Sequence, residues 1–555
     1  MKKQSTHGIF PKHLLRAGSL ALFCALAFPL VAAAETAVPK PGESLEGSKP
    51  PKQSVSLENV DKGTGQQGAE SVRFTLTEIR VEHDGIKVKD EKIDAITRKI
   101  IGKEIDAEEL NGAIGNVTHY IRAHGYPAAA AYIPEQTAVG GKLLVKVEPG
   151  RLGSIHLSNE SKLKDSAAQR ILAGLKAGEI IRTRGLENAL YNLRDLSGVQ
   201  VLGVLSPGAE TGTSDLTVRL LNDKKTSVIL YSENYGSESA GRYRYGVQGE
   251  IRNLSGMGDR LNLGALFSNN HQHNYNISYE TTVGRSASKL GIGFSRADYE
   301  LGNEFKVLGT EGIANTYSIY GRTPLWNKSD GSLAFTYGYD YRDIKDDLTR
   351  FNVSWNKHSH VFHAGLDGIQ RGPKTSVQYN ATLYTGTLVP DSDMAETLAT
   401  LGKTKGHFTK GTADVTAVQG LNKNFDVMLK LSGQKAANNL DSSEHIYLGG
   451  ARGVRAYPQG EASGDEGILG TLELRYHTPV KGLTLSTYFD AGHVRIEKSE
   501  GGSMTLKGWG VGVSYSRPND WFARFDYARR IGSDVNMSDD AKSRQRMWFI
   551  AGKVF

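Results

Sequence analysis

With 555 residues, the chain is too long for one ordinary domain and predicts several. Its formal charge of +7 includes Lys2, Lys3, Lys12 and Arg16; subtracting those four N-terminal charges leaves +3, too small a surplus to indicate a nucleic acid partner. The single cysteine, Cys24, lies in the same N-terminal segment, so removal of that segment leaves no disulfide or thiol chemistry.

The N-terminus has the three parts of a secretory signal peptide. A basic stretch, MKKQSTHGIFPKHLLR, precedes the apolar run AGSLALFCALAFPL, and Ala32 and Ala34 provide the small side chains that a signal peptidase requires. Residues 1–34 are therefore predicted to be a signal peptide cleaved before Glu35, and the remainder to be exported. Residues 35–70 are rich in proline, glycine and charged side chains and predict a linker, with a short helix as the alternative.

Residues 71–150 predict an α/β unit. The stretch VRFTLTEIRVEH predicts a strand, and a helix is expected near 91–101. A second helix follows, with Asp106 as its N-cap and Glu109 as the capping-box partner three residues later. AAAAYIP and KLLVKVEP predict two further strands. The buried stripe of the second helix is expected to consist of residues spaced four, three and four apart: Leu110, Ile114, Val117 and Ile121.

The same element order recurs in residues 151–223. LGSIHLSN predicts a strand, KDSAAQRILAGL and TRGLENALYNLRDLSGV predict two helices, and VQVLGVL and DLTVRLL predict two more strands. Two consecutive units with the order β-α-α-β-β form an internal repeat.

Residues 224–555 predict a transmembrane β-barrel. They divide into strand-like runs of roughly ten residues separated by turn residues. Seventeen runs can be distinguished, but single-chain bacterial barrels have an even number of strands, so one run near 349–369 is interpreted as over-split and sixteen strands are predicted. Because no stretch after the signal segment approaches the ~20 apolar residues of a spanning helix, the chain can cross a membrane only as a closed barrel.

The last five predicted strands fix the orientation of the barrel. They cover residues 468–477, 482–494, 505–516, 521–530 and 544–555. The connections HTPVKG and SRPND are short, whereas RIEKSEGGSM and IGSDVNMSDDAKSRQ are long and polar. Short turns face the periplasm in such barrels, so the C-terminus is expected there. The glycine-rich stretch YLGGARGVRAYPQGEASGDEG, which joins the eleventh and twelfth strands, is then an outer loop.

Alternation along GLTLSTYFDAGHV assigns the faces of one strand. Phe489 is expected to face lipid and Asp490 to face the lumen, because a carboxylate on the lipid side costs a few kcal/mol near the midplane. The next strand is expected to leave room inside the barrel, since its inward-facing residues are all small: Gly508, Gly510, Gly512 and Ser514.

The two α/β units carry motifs of a known domain. In the first, Gly125 and Tyr126 precede a strand that ends at Pro134, and Gln136 follows. In the second, a Pro-Gly is followed by small residues and Asp-Leu, at Pro207, Gly208, Gly212, Thr213, Asp215 and Leu216. The units resemble the two polypeptide-transport-associated (POTRA) domains of the two-partner secretion transporters, the haemolysin secretion and activation family. Ser197 departs from that pattern, in which proline is commoner.

The outer loop and a later strand carry the family's other motifs. The family's Val-Arg-Gly-Tyr loop motif is matched by Val454, Arg455, Ala456 and Tyr457. Its Phe-x-Asp-x-Gly strand motif is matched by Phe489, Asp490 and Gly492, with one residue fewer between Phe and Asp. The resemblance implies that the loop folds back into the barrel and that Arg455 pairs with Asp490. Ala456 replaces the motif glycine, which makes the backbone less free there. The competing interpretation is an ordinary mobile loop above a solvated Asp490. Arg452 is the nearest competitor of Arg455, but it lies outside the motif.

The resemblance implies a mainly β fold, with a 16-stranded transmembrane β-barrel in the Gram-negative outer membrane preceded by two periplasmic POTRA domains. It implies a translocator that captures a secreted TpsA-type partner, a large β-helical haemolysin, adhesin or contact-dependent toxin, by strand addition to a POTRA sheet edge and secretes it through the barrel. Residues 35–70 would then hold the linker or a pore-plugging helix. Outer-membrane lipid, lipopolysaccharide and, during biogenesis, the barrel-assembly machinery are the other expected partners, and the protein is expected to be monomeric.

Two other functions stay open at this level. One is an insertase of the same superfamily, whose best-known members have more POTRA repeats than the two found here; the other is a passive porin-like channel. An enzyme is disfavoured because no nucleophile elbow, zincin motif or phosphate-binding loop is present. No cofactor and no metal are expected. The histidine-rich stretches HSHVFH and HQH are interpreted as lumen or loop residues, because a metal site needs three or four converging ligands.

Overall fold

The computed structural model describes residues 56–59, 73–302, 306–532 and 539–555. The predicted signal peptide lies outside the described residues, and so does the predicted linker except for four residues. Those four form a strand, β1 (Ser56–Asn59), which the sequence did not predict.

The first α/β unit contains two principal helices on one side of a three-stranded sheet. Its elements are β2 (Phe74–Thr75), β3 (Glu78–Glu82), α1 (Asp90–Thr97), β4 (Glu104–Ile105), α2 (Ala107–Ala123), β5 (Ala130–Tyr132) and β6 (Lys142–Glu148). In the sheet, β6 lies between β3, which is parallel to it, and β5, which is antiparallel. The single strand predicted from VRFTLTEIRVEH is wrong: it divides because β2 pairs with β4 whereas β3 pairs with β6.

Helix α2 begins and packs as predicted. The Glu109 amide donates to Asp106 Oδ1 at 2.9 Å, and the Asp106 amide donates to Glu109 Oε2 at 3.1 Å, so the capping box is complete. The predicted apolar stripe of this helix is buried.

The second α/β unit repeats the topology of the first. It consists of β7 (Arg151–Asn159), α3 (Asp165–Leu172), α4 (Thr183–Arg194), β8 (Val199–Pro207) and β9 (Thr213–Asn222). Here β9 lies in the centre, parallel to β7 and antiparallel to β8. Strand β1 joins the free edge of β8 in parallel, with Ser56 opposite Leu202 and Asn59 opposite Leu205. The outer edge of the second sheet is therefore occupied by a segment of the same chain.

Sixteen strands of the described chain form a closed antiparallel barrel, as predicted. They are β10 (Thr226–Glu233), β11 (Arg244–Arg252), β12 (Arg260–Ser268), β13 (His273–Val283), β14 (Ser288–Glu300), β15 (Thr310–Lys328), β16 (Gly331–Leu348), β17 (Val353–Arg371), β18 (Thr375–Pro390), β19 (Gly406–Gly420), β20 (Phe425–Ala436), β23 (Glu466–His477), β24 (Leu483–Glu497), β25 (Gly501–Ser516), β26 (Trp521–Arg530) and β27 (Gln545–Val554). β10 pairs with β27 to close the barrel. The doubtful run near 349–369 is one strand, β17.

Short elements lie in the outer connections. Helix α5 (Asp393–Leu401) joins β18 to β19, and the strands β21 (Ile446–Tyr447) and β22 (Ser463–Gly464) pair across the neck of the glycine-rich loop. That loop joins the eleventh barrel strand, β20, to the twelfth, β23, as predicted. No helix of the described residues is long and apolar enough to cross a bilayer.

The second α/β unit is fixed to the barrel at the end opposite the glycine-rich loop. Asn327, at the end of β15, is 2% exposed; its Nδ2 donates to Asp195 Oδ2 at 2.6 Å, and its amide donates to Asn188 Oδ1 at 3.0 Å. Ala287, from the turn between β13 and β14, is part of the apolar core of the unit. This unit therefore lies against the short-turn rim of the barrel.

Candidate functional site: a charged anchor inside the barrel

The glycine-rich loop folds into the barrel in a compact turn. The Val454 amide donates to the Leu448 carbonyl at 2.7 Å, and the Tyr457 amide donates to the Val454 carbonyl at 3.1 Å. Gly453 permits this approach, because a Cβ atom there would lie 2.0 Å from the Leu448 oxygen. Gly450 has φ +124°, a conformation that L side chains rarely adopt. Val454 and Ala456 are fully buried, so the turn packs inside the barrel and is not an ordinary mobile surface loop.

Arg455 and Asp490 meet through three hydrogen bonds. Arg455 Nη2 donates to Asp490 Oδ1 at 2.8 Å, and Arg455 Nε donates to Asp490 Oδ2 at 2.9 Å. The backbone amide of Arg455 adds a bond of 3.1 Å to the same Oδ2. Asp490 is 0% exposed and Arg455 6%. The two-pronged geometry is the one that a guanidinium offers a carboxylate, and it fixes the direction of the loop tip.

The pair belongs to a larger network of charges. Arg455 Nη1 lies 3.3 Å from both Glu473 Oε2 on β23 and Asp526 Oδ1 on β26. A second arginine, Arg524, bridges the same two acids at 3.1 and 2.7 Å. Three carboxylates therefore surround two guanidinium groups, and removal of Arg455 leaves an excess of buried negative charge. We call Arg455 with Asp490, Glu473 and Asp526 the tip anchor.

Neutral groups complete the surroundings of Arg455. Its guanidinium carbon lies 3.1 Å from the centre of the Tyr488 ring, a cation–π contact. Trp548 Nε1 donates to the Arg455 carbonyl at 2.7 Å, and Thr471 Oγ1 donates to Asp490 Oδ1 at 2.9 Å. The loop tip thus contacts β23, β24, β25, β26 and β27.

Ala456 fits the turn because the facing wall is glycine. The described non-glycine residues with positive φ do not include Ala456, so its methyl group imposes no backbone strain. A Cβ added to Gly508 on β25 would lie 2.6 Å from the Ala456 Cβ. The inward small-residue wall therefore gives the loop its space.

The remaining motif residues shape the site. Phe489 is 44% exposed on the lipid-facing surface, whereas Gly492 faces inward, where a Cβ would meet Leu448 at 2.9 Å. Tyr457 is 2% exposed, and the guanidinium carbon of Arg530 lies 4.5 Å from its ring centre. Arg452 lines a lumen cavity of about 340 Å³ whose other lining residues lie mainly on β10 to β14.

Sequence reasoning missed Glu473, Asp526 and Arg524. The signal was available: LELRY and RFDYA alternate charged with apolar residues, and charges on strands of a barrel must face the lumen. Alternation does not say which of these charges approach one another, because that depends on the stagger of distant strands.

The POTRA motif residues have structural roles in the first unit. Gly125 has φ +102°, and the hydroxyl of buried Tyr126 accepts a hydrogen bond from the Lys87 amide at 2.8 Å. Gln136 bonds both backbone groups of Leu144: its Nε2 donates to the carbonyl at 2.6 Å, and its Oε1 accepts from the amide at 2.8 Å. It therefore takes the place that a continued β5 would have beside β6. The carbonyl of Pro134 lies 3.3 Å from Gln136 Nε2.

Asp215 has a comparable role in the second unit. The pairing of β7 with β9 shifts register between Leu152 and Ile155, and Asp215 Oδ1 accepts a hydrogen bond from the Ser154 amide there at 2.6 Å. That bond lowers the pKa of the Asp215 carboxyl below its ordinary value.

The predicted lumen and loop histidines lie on β17, on β13 and in the turn before β13, and the rings of His358 and His360 contact each other with centres 5.4 Å apart. His358 Nδ1 lies 2.8 Å from Asp391, and His360 Nδ1 lies 2.6 Å from the hydroxyl of Tyr339. His363 contacts the Tyr384 ring, His273 Nδ1 lies 3.0 Å from Asp298 Oδ2, and His271 has positive φ in the turn before β13. Within the described ranges, no group of three or more His, Cys, Asp or Glu side chains could hold a metal ion.

A closed barrel with two α/β units at one rim and an inward-folded, charge-anchored loop defines an outer-membrane transporter of the POTRA–barrel class. The chain belongs to the haemolysin secretion/activation family ShlB/FhaC/HecB, whose family model matches residues 212–515. The ShlB-type POTRA domain matches residues 74–150. The protein is therefore an outer-membrane secretion transporter whose POTRA domains lie in the periplasm.

Individual relatives match this chain at low sequence identity. The heme/hemopexin transporter protein HuxB of Haemophilus influenzae is 25% identical over 504 residues, 88% of each chain, and the outer membrane transporter CdiB of Dickeya dadantii is 23% identical over 468 residues, 81% of each. Among solved structures, CdiB from Escherichia coli has a TM-score of 0.67 at 18% identity, covering 99% of this chain and 100% of that one. BamA from Haemophilus ducreyi, lacking POTRA domains 1–3, has a TM-score of 0.53 at 15% identity, covering 87% and 100%. These structures share the fold.

Proposed function

We propose that this transporter captures one exported partner in the periplasm and passes it, unfolded, through the barrel to the cell surface. The partner is a large secreted TpsA-type protein with a β-helical fold: a haemolysin, adhesin or contact-dependent toxin. Membership of the secretion/activation family supports this role. The periplasm lacks ATP, so folding of the partner outside the cell supplies the driving force.

Capture uses strand addition to a POTRA sheet edge. Two observations favour β3 as that edge. In the second unit, the edge strand β8 is already paired with β1, and the start of the other edge strand, β7, is bridged to Ile180 in the segment before α4. In the first, Gln136 occupies the backbone groups of Leu144 beside the short β5, whereas β3 pairs with β6 alone among the described strands of its sheet.

The loop around Arg455 is the barrier within the pore. The observation that carries this proposal is the burial of Arg455 among Asp490, Glu473 and Asp526. Truncation of one member of a buried ion pair costs about 3–5 kcal/mol, mostly through the charge left alone. A partner that enters the lumen must displace Arg455 from the tip anchor. The carboxylates that lose Arg455 are then solvated by water or bound by polar groups of the partner.

The other assignments follow from this role. Residues 1–34 serve as the signal peptide, 35–70 as the linker or plug-helix region, 71–150 and 151–223 as the POTRA domains, and 224–555 as the barrel. The barrel-assembly machinery inserts the protein as a monomer, and its outer face contacts lipid and lipopolysaccharide. The activity is translocation, with no catalytic step, no cofactor and no bound nucleic acid.

The test compares Arg455→Ala and Asp490→Ala with wild type in cells that also express the secreted TpsA-type partner. Secretion is expected to fall at least tenfold while each variant reaches the outer membrane in normal amount. In planar bilayers, both variants are expected to show larger and more frequent openings, because the tip is no longer held.

Arg452→Ala is the matched control, since it removes the same charge from the same loop outside the tip anchor. It is expected to retain secretion and wild-type conductance. Wild-type secretion by both Arg455→Ala and Asp490→Ala would refute the proposal. A steady open pore in the wild type that does not respond to Arg455→Ala would indicate a passive channel. Loss of other barrels from the membrane on depletion of the protein would indicate an insertase.

A further inference from the structure

The inward loop carries a second buried charged contact where it leaves the barrel wall. Residues 441–444, Asp-Ser-Ser-Glu, form a single 3-10 turn soon after the end of β20, and we call them the root turn. The Asp441 side chain is 15% exposed and that of Glu444 is 4%. These two acids lie outside the family motifs. Burial of a carboxylate costs free energy unless the carboxylate is paired.

Glu444 pairs with two bases on different strands. Its Oε1 contacts Arg342 Nη1 on β16, and its Oε2 lies 2.8 Å from Lys410 Nζ on β19. The Lys410 ammonium also donates to the Glu444 carbonyl at 2.8 Å, and Gln434 Nε2 on β20 donates to the same carbonyl at 2.8 Å. Side chain and backbone of Glu444 are therefore both held.

Asp441 pairs with a third base. Lys357 Nζ on β17 lies 2.9 Å from Asp441 Oδ1 and 2.8 Å from Oδ2. Asp441 Oδ1 also accepts from the Ser443 amide at 3.1 Å, so the carboxylate shapes the turn as well as fixing it. The Lys357 side chain is only 9% exposed and that of Lys410 only 10%. Loss of the turn would therefore leave these ammonium groups without their acids.

The root turn and the tip anchor have opposite polarity. At the tip, the loop supplies a base and the barrel wall supplies acids on β23, β24 and β26. At the root, the loop supplies acids and the wall supplies bases on β16, β17 and β19. In the strand order of the barrel these two groups lie on either side of the junction between β20 and β23, from which the loop emerges. None of these root contacts involves a residue of the tip anchor.

We propose that the root turn is an independent second anchor, with Glu444 as its principal positioning residue. The loop then pivots about residues 441–444 when the tip is released, and it stays attached to the basic wall. The inference rests on the proposed function for its meaning in transport, but the anchor itself can be tested without a secreted partner.

The experiment measures exposure of root and tip separately by thiol labelling. The only cysteine of the chain, Cys24, lies in the predicted signal peptide, so single reporters can be introduced. Ser443→Cys reports on the root, since Ser443 is 7% exposed, and Val454→Cys reports on the tip, since Val454 is 0% exposed. A membrane-impermeant maleimide is added to intact cells, and correct folding of each barrel is checked by its heat-dependent shift in gel mobility.

Glu444→Gln is expected to raise labelling of Ser443→Cys about tenfold or more and to leave labelling of Val454→Cys near wild type, because loss of one member of a buried pair is costly. Arg455→Ala is expected to do the reverse. Lys410→Gln provides a second root variant if Glu444→Gln fails to fold. Lys435→Gln is the control: it removes a base whose side chain is 76% exposed, and its partner Glu466 keeps a second pair with Lys498.

The outcomes separate the two proposals. Unchanged protection of Ser443→Cys in both Glu444→Gln and Lys410→Gln would overturn the second anchor. So would equal exposure of root and tip in Arg455→Ala, since the root would then have no hold of its own. If Arg455→Ala and Asp490→Ala both secrete normally while the labelling follows the expected pattern, the proposed function fails and the second anchor stands.

Discussion

The core of the second POTRA unit and the inward loop are both buried, but charged side chains have a different share in holding them. The core of the POTRA unit consists of leucine, isoleucine, valine and alanine side chains. Around the loop tip, four charged side chains are 6% exposed or less and lie beside the apolar ones: Arg455, Glu473, Asp490 and Asp526. Apolar burial stabilises by about 25 cal/mol per Å² and is lost only on unfolding. The Coulomb attraction of a buried ion pair is nearly offset by desolvation, so water or another polar chain can replace it.

The difference indicates which parts are permanent and which are releasable. The POTRA unit must keep its fold while a partner binds and leaves, and its core continues onto the barrel turn at Ala287. In the proposed function, the loop stays in the lumen at rest and moves during transport. Its turn around Leu448, Val454 and Tyr457 packs in an apolar cluster that includes wall residues of β24 to β26, and the ion pairs of Arg455 add the charged part of its attachment to the wall.

A core substitution in the POTRA unit is expected to have the largest effect on stability. Leu193 on α4 is 0% exposed, so Leu193→Ala should lower the free energy of unfolding of this unit by about 2–5 kcal/mol. Hydrogen–deuterium exchange of α4 peptides in the full-length protein measures this loss. Leu221→Ala, at a site 37% exposed, is the control and should have little effect. Equal protection of α4 in both variants would contradict the assignment of Leu193 to a rigid core.

Crowding the loop from the wall should have an intermediate effect. Gly508→Ala places a Cβ atom 2.6 Å from the Ala456 Cβ, so it should destabilise the seated tip by about 1–3 kcal/mol and increase conductance in planar bilayers. Adding Ala456→Gly removes the colliding methyl group and should restore wild-type conductance. A double variant no closer to wild type than Gly508→Ala alone would show that the two residues do not meet in the membrane.

The smallest effect is expected at the cap of α2. Asp106→Ala removes the side-chain half of the capping box and should destabilise the first unit by about 1 kcal/mol, measured by hydrogen–deuterium exchange of the first turn of α2. Asp94→Ala removes the same charge from an exposed position within α1 and should be near neutral. A similar loss of protection of α2 in the two variants would assign the effect to charge and not to capping.

Much of the architecture is local and could be predicted from the sequence. The period of two along the strands, the spacing of apolar residues in α2 and the Asp106–Glu109 capping box depend on neighbours in the chain, and the structure contains all three. The split between β2 and β3 was not predicted, because the two segments pair with different strands. β2 pairs with β4, whereas β3 pairs with β6, which lies more than sixty residues later in the chain. The pairing of β1 with β8 has the same origin.

At the candidate site, the sequence by itself determined the participants on the loop and on one strand. Resemblance of the motifs indicated Arg455 and Asp490, and alternation placed Asp490 in the lumen. Only the tertiary structure decided that Glu473, Asp526 and Arg524 converge on the same point, and that Asp441 and Glu444 meet Lys357, Arg342 and Lys410. The physical reason is that alternation specifies the face of a strand on which a charge lies, whereas barrel closure and strand stagger bring distant charges together.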